Sequence, residues 1–337
     1  MSVKSNLDEL CRRVLEEKGG EIADKAKTML LQESGLDELK DPLEYTAKYW
    51  RDPLTPSLVI LSCEAVGGEL NDATYQTALA VTLMSLTFNL WDDIVDKTIY
   101  KKFVPTVLGK YGQGTTLMIG GLASAKAFSI LSAIRLEDKK RQSIMKLIWD
   151  YWVKLAKAEA KNATLKKRGA ITSEEKLKVI EMQSVNLETA MKVGATLGNA
   201  SEEEMRHLGN YGRYLSMILE LRKDFNVSLN LTLELAEKIR SGALTYTLLW
   251  TKERSEKVKQ CLTQSKNAIK PEDIKKLVEL IIKAKALENI KNLIARLTQN
   301  AKLELSKIKN REKIRTLEFF LEAQPKIFDE SFSFILR

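Results

Sequence analysis

Three aspartates, Asp92, Asp93 and Asp96, close an apolar run from Ala78 to Trp91. On a helix, positions i and i+4 lie one turn apart on one face, and i+1 lies beside the first. Two carboxylates therefore stack while the third flanks them, which makes a donor set for a hard divalent cation. Mg²⁺ takes oxygen ligands, keeps several waters and bridges one or two carboxylates to substrate phosphates without needing a closed protein cage. The competing reading is a solvated acidic helix end, which a short DDxxD pattern does not exclude by itself.

The residues that follow shift the balance towards a site. From Asp92 to Phe128 the chain reads DDIVDKTIYKKFVPTVLGKYGQGTTLMIGGLASAKAF. This segment resembles, without a gap, the polyprenyl diphosphate synthases, in which an aspartate-rich motif precedes a paired basic segment, Pro-Thr-Val and an aromatic residue followed by glycine. Looser similarity covers PSLVILSCEAVGG (Pro56 to Gly68), GRYLSMILELRKDF (Gly212 to Phe225) and IRSGALTYTLL (Ile239 to Leu249). The resemblance implies an all-α fold, the class I isoprenoid synthase helical bundle around a central prenyl-diphosphate cavity. It also implies Mg²⁺ as cofactor, a small-molecule prenyl diphosphate as substrate and, by analogy, a homodimer.

Carried over residue by residue, the resemblance makes Asp92, Asp93, Asp96 and Lys101 catalytic. It assigns Mg²⁺ to Asp92 and Asp96 on one wall and to Glu220 and Asp224 on the other, where the second aspartate-rich motif of the family falls. Phe88, four residues before Asp92, takes the floor of the prenyl cavity and implies a short or medium chain rather than a long one, and the allylic substrate is expected to have fifteen or twenty carbons. Lys102, Gln183, Arg222 and Lys223 fall at substrate-contacting positions. A rival register for the second wall, Asn226, Asn230 and Glu234, has the i, i+4, i+8 spacing of the metal triad of class I terpene synthases. It requires a shift of about three residues, which turns the helix by roughly 300°.

The departures from the family are concentrated on the second substrate. The cradle for the isopentenyl diphosphate falls on Arg51 to Thr55, where Asp52, Pro53 and Thr55 replace basic positions, and an upstream histidine becomes Ser85. The paired arginines become Lys101 and Lys102, which keep the charge but lose the planar fork. Two further lysines of the family become Gln183 and Ala243, and Lys223 stands where a metal-binding carboxylate is expected. Loss of the second diphosphate site makes a Mg²⁺-dependent class I terpene synthase (cyclase) the first expectation. The alternatives are a divergent prenyl diphosphate synthase, or a weakly catalytic regulatory subunit of one.

The elements that position these residues read as helices throughout, with no sustained period-two alternation. The spacing predicts helices over Asn71 to Ile94, Gly114 to Arg135, Glu137 to Asn162, Ser173 to Leu197, Ser201 to Asn226 and Leu229 to Arg240, among others, with capping signals at Thr172 and Ser201. The chain has 337 residues with 16 Gly and 6 Pro, and no linker composition divides it. The expectation is therefore one domain over 1–337, with a core of about 40–252 and a helical extension over 253–337. The three cysteines are scattered and form no framework. The net charge of +9 comes largely from lysines interleaved with acidic residues at helical spacing near the C-terminus, which reads as a solvated face and implies no nucleic-acid partner. His207, the single histidine, falls in an exposed-looking stretch and reads as structural. The aromatics Trp91, Trp149, Trp152, Phe225 and Trp250 read as ordinary core. The absence of an apolar signal core, and of any long uninterrupted apolar stretch, implies a cytoplasmic chain without a membrane span.

Overall fold

Runs of apolar residues at helical spacing become helices along nearly the whole chain. The structure, a computed structural model, describes residues 6–32, 37–101, 104–168, 171–229, 233–264 and 271–335. In chain order the helices are α1 (Asn6–Leu15), α2 (Glu21–Gln32), α3 (Asp37–Tyr49), α4 (Leu54–Ala65), α5 (Asp72–Asp96), α6 (Val107–Ala133), α7 (Asp138–Arg168), α8 (Ser173–Gln183), α9 (Val185–Leu197), α10 (Glu202–Leu229), α11 (Leu233–Ser241), α12 (Tyr246–Lys252), α13 (Glu256–Gln264), α14 (Pro271–Lys283), α15 (Ala286–Leu305) and α16 (Arg315–Ile335). A π-helical turn, Glu16–Gly20, joins α1 to α2. The strands among the described residues are β1 (Tyr100–Lys101) and β2 (Val104–Pro105), an antiparallel pair.

The all-α expectation holds, and the differences lie in helices passed over, one helix divided in two, and boundaries. The sequence reading passed over α3, whose interior Pro42 breaks the usual helical signal, and over the short α12 and α13. The helix expected over Ser173 to Leu197 is two helices that meet at Ser184, whose hydroxyl donates back to the carbonyl of Ile180 at 2.7 Å. Within α6, Gly112 adopts φ 81°, a conformation that favours glycine, so the helix is two segments joined at that residue.

Helix α5 runs through the middle of the bundle between α4 and α6, α9 packs on α4 and α10, and α15 covers the other side of α10. The close approach of α4 and α9 depends on Gly194, where a Cβ would stand 2.1 Å from the carbonyl oxygen of Val59. One apolar core extends from α2 to Leu321 of α16, so the helices beyond Lys252 share it with the rest. Helices α5 and α6 are each long and apolar enough to cross a membrane by length and composition, which the sequence reading did not expect, although 67% of the 18-residue apolar window of α5 is buried inside the protein.

Some polar groups in this core are paired across helices. His207 is 7% exposed, not surface-facing as expected, and its Nδ1 lies 2.6 Å from Glu304 of α15. Trp149, expected in the core, is 68% exposed. Glu188 of α9, buried, accepts from Arg213 Nε of α10 at 2.9 Å, lies 3.6 Å from Lys154 of α7 and pairs with Lys192. Burial alone would raise its pKa, but Lys192, Arg213 and Lys154 hold it below the ordinary value.

A depressed pKa means that this contribution to stability is present above the unfolded-state value of about 4.3 and fades as pH falls through the folded-state value. Glu188→Gln is therefore expected to cost roughly 2–3 kcal/mol at pH 7. That is below the ~3–5 kcal/mol of a fully buried broken pair, because the cationic partners keep contact with water. Urea titrations should show the gap between the two proteins closing as the pH falls below about 4.

Candidate active site

The C-terminal turn of α5 projects its carboxylates into an open pocket of about 180 Å³. Helix α5 stops at Lys97, which takes a left-handed conformation and returns its N–H to the carbonyls of Asp93 and Ile94. The chain then forms the β1–β2 hairpin, and Thr106 caps α6 by accepting the Gly109 N–H at 3.0 Å while donating to the Thr98 carbonyl at 2.7 Å. That reversal brings Lys101 back over the aspartates, its Nζ 2.7 Å from Asp93 Oδ1. Asp96 faces the far end of α7: Lys166 donates to its Oδ1, and Asn162 Nδ2 lies 3.3 Å away. Lys238 of α11 stands 3.9 Å from Asp96 Oδ2.

Helix α10 supplies the opposite wall. Glu220, Lys223 and Asp224 line the same pocket, with Lys223 Nζ 3.4 Å from both carboxylate oxygens of Glu220. Asp224 Oδ2 accepts the Thr247 N–H at 3.3 Å at the start of α12. Ser228 is spent on a 2.7 Å bond to Thr245. Arg222 corrects an expectation. Its guanidinium points away from the pocket and donates to Gln324 of α16, because a step of two residues from Glu220 or Asp224 turns it by about 200° on the helix. The rival triad does not share one helix, since α10 ends at Leu229 and α11 begins at Leu233, with Asn230 outside the described residues. Lys102 is also outside them.

Below the carboxylates the pocket meets aromatic rings. Phe88 lines it as expected and packs with Tyr151, Leu155 and Trp152. Trp91 and Trp152 stand 5.5 Å apart, and Tyr151 lies 5.1 Å from Trp152. Gln183 lines the pocket but is engaged by Glu159 at 2.6 Å. The expected second-diphosphate positions are committed elsewhere. Asp52 accepts from the backbone of Leu54 at 3.1 Å and of Thr55 at 3.0 Å, from the Thr55 hydroxyl at 2.7 Å and from the Ser85 hydroxyl at 2.8 Å. Arg51 pairs with Glu16 and Asp24 instead of facing a ligand.

Burial, reinforced by Asp96, pushes Asp92 up to about 7. Burial likewise pushes Asp224 up to about 6, opposed by Lys176 and reinforced by Glu220. Asp96 behaves in the opposite way: burial works against its charge, but Lys166, Lys176 and Lys238 together hold it well below the usual carboxylate range. Asp92 and Asp224 are thus carboxylates short of positive charge on facing walls. Among the described residues no three acidic, histidine or cysteine side chains converge as a ready-made cage. The donor set fits Mg²⁺ of the kind that keeps its waters and shares ligands with a phosphate.

The sequence model of the family described as "Polyprenyl synthetase" matches residues 37–281. The chain belongs to the polyprenyl synthetase family. It is 26% identical over 291 residues to a geranylgeranyl diphosphate synthase of Methanosarcina mazei, a match that covers 85% of this chain and 89% of that one. The fold is that of the geranylgeranyl pyrophosphate synthetase of Pyrococcus horikoshii, with a TM-score of 0.79 at 21% identity over 96% of this chain and 99% of that one. It is also that of a Caulobacter crescentus polyprenyl synthase described as complexed with calcium and isoprenyl diphosphate, with a TM-score of 0.80 at 19% identity over 96% and 98% of the two chains. These relatives are synthases of the polyprenyl family, so they favour the prenyltransferase alternative over the cyclase that the sequence reading placed first.

The sequence reading missed Asn162, Lys166, Lys176 and Lys238. The first two sit 66 and 70 residues from Asp96 in the chain, on a helix expected to stop at Asn162. The signal that could have found Lys166 was the run of α7 beyond that point, where ATLKKR continues the helical pattern without a breaker. Asp92→Ala and Asp96→Ala are each expected to lower pyrophosphate release from an allylic diphosphate by two or more powers of ten without loss of the helical circular dichroism signal. Arg222→Met should leave that rate within about twofold and lower stability by about 1–2 kcal/mol, because its bond is to Gln324.

Proposed function

We propose that this chain is a Mg²⁺-dependent prenyltransferase that ionises a short allylic diphosphate and joins the cation to isopentenyl diphosphate, giving a fifteen- or twenty-carbon prenyl diphosphate. The observation that carries the reading is the meeting of Asp92, Asp93 and Asp96 with Glu220 and Asp224 around one pocket above an aromatic floor. The allylic C–O bond breaks with both electrons leaving on the diphosphate. The acceptor alkene attacks the freed carbon, a new C–C bond forms, and a proton passes from the adjacent carbon to the departed diphosphate. Bound Mg²⁺ supplies neutralisation of the leaving diphosphate. Lys101 and Lys223 orient that group from opposite walls, while the ring of Phe88, which lines the pocket, stabilises the cation. Phe88 limits the chain length by closing the floor.

One observation favours a second reading, capture of the cation internally or by water. Asp52 is satisfied by Thr55 and Ser85, so Arg51 to Thr55 offer no cationic cradle for a second diphosphate. Geranyl, farnesyl and geranylgeranyl diphosphates, each with Mg²⁺ and with or without labelled isopentenyl diphosphate, separate the readings. Label in a longer diphosphate is the expected outcome. Hydrocarbon or alcohol with pyrophosphate, independent of isopentenyl diphosphate, selects the second reading. No turnover of any of them points to a regulatory subunit.

We further propose that residues 1–337 form one domain, since the core is shared, and that the exposed face of α6 pairs with a second copy of this chain. Leu117, Met118 and Phe128 are 39%, 59% and 39% exposed there, and Gly121 has open space where a Cβ would stand, which lets another helix approach closely. Met118→Glu is expected to convert a dimer to a monomer in sedimentation equilibrium. A wild-type chain that sediments as a monomer, or one that binds lipid vesicles through this face, overturns the pairing.

A further inference from the structure

We infer that Lys176 of α8 and Lys238 of α11 form the ammonium clamp that takes the allylic diphosphate, a role that nothing in the motif pattern assigns to them. The inference rests on the prenyltransferase reading and adds the ligands of its leaving group.

The argument starts from the charges that line the pocket. Asp92, Asp93, Asp96, Glu220 and Asp224 contribute five carboxylates, and Lys101, Lys176, Lys223 and Lys238 contribute four ammonium groups. Lys101 is bound directly to Asp93 at 2.7 Å, and Lys223 lies 3.4 Å from Glu220 on its own helix. The other two are different. Lys176 makes no ion pair among the described residues. Lys238 reaches only to 3.9 Å from Asp96, whose other oxygen already accepts from Lys166. Two ammonium groups with donors left over therefore enter a half-buried pocket from α8 and α11. Both line the same pocket as Asp96, Glu220 and Asp224.

Leaving an ammonium partly desolvated without a full partner is costly, and a dianionic or trianionic ligand with several terminal oxygens removes that cost for both lysines at once. The neutral side chains at Gln183 and Ala243 cannot do this. Gln183 is held by Glu159, and Ala243 has no donor. Lys176 precedes Gln183 by seven residues on one uninterrupted helix, which returns it to nearly the same face about 10 Å along the axis. Lys238 precedes Ala243 by five residues, in the last turn of α11. Positive charge therefore reaches the pocket from the same two segments, displaced along each of them.

The test uses the full chain and calorimetric titration with inorganic pyrophosphate in the presence of MgCl₂. Lys176→Met and Lys238→Met are each expected to weaken binding at least tenfold, about 1.4 kcal/mol. Lys176→Arg should stay within about threefold, and Lys178→Met, on the exposed side of α8 and paired with Glu174, should have no effect. A second titration, with Mn²⁺ and no pyrophosphate, separates a direct contact from an effect through Asp96. Removing a cation beside a carboxylate should leave Mn²⁺ affinity unchanged or tighter, so weaker Mn²⁺ binding by Lys238→Met overturns its place in the clamp. Unchanged pyrophosphate affinity in both methionine variants overturns the clamp and leaves the prenyltransferase reading standing. A wild-type chain that binds no pyrophosphate with Mg²⁺ overturns both.

Discussion

Carboxylates at the buried end of an apolar helix are the constraint around which this protein is arranged. Removing an ionised carboxylate from water costs several kcal/mol unless cations and hydrogen bonds replace the lost solvent. Apolar packing cannot do that, so partners are delivered from distant parts of the chain. The hairpin after α5 exists in the positions needed to return Lys101 to Asp93. The last two turns of α7 bring Asn162 and Lys166 to Asp96. Helix α11 adds Lys238 from a third direction. Asp92 is left without such a partner among the described residues, and burial, reinforced by Asp96, raises its pKa.

The two ends of the site are built on different principles. Around Asp92 and Asp224 the protein leaves charge uncompensated, which favours association with divalent ions. Around Asp52 it leaves nothing uncompensated, because one carboxylate caps the start of α4 and holds the Ser85 hydroxyl of α5. A cap of that kind is worth about 1 kcal/mol to the helix and pins α4 to α5 at the same time. The segment that faces a second diphosphate in the family pattern has become a structural joint here. An acceptor diphosphate that enters this pocket must find its cations among the lysines that remain.

Much of this was legible in the sequence, and the parts that were not have physical reasons. The triplet Asp92, Asp93 and Asp96 follows from local spacing and the pair Glu220 and Asp224 from the family resemblance, and the structure brings all five to one pocket. Arg222 was misplaced because family analogy counted it with its neighbours, whereas the 100° step per residue puts it on the far face against α16. Lys176, Lys238 and Lys166 carry no signal in composition, since a lysine on a helix usually faces solvent. Their meaning depends on which helices pack together. His207 looked exposed because its own segment is acidic and polar, and its partner Glu304 lies 97 residues away. Strands two residues long fall below any periodicity a sequence can show.

The charge balance of the pocket also orders its binding events. With five lining carboxylates against four lysines, the walls are close to neutral and slightly acidic. A diphosphate entering alone adds three or so negative charges to a half-buried space that already has a surplus of them. Divalent ions entering alone must share carboxylates with lysines that already hold Asp93 and Asp96. On the proposed reading, metal ions and a diphosphate entering together would offset each other's charge, and the diphosphate would draw Lys101 off Asp93, so each ligand would improve the site for the other. Such coupling is reciprocal by thermodynamic necessity. On that reading Lys101 has two roles, neutralising Asp93 before a diphosphate arrives and contacting the diphosphate afterwards.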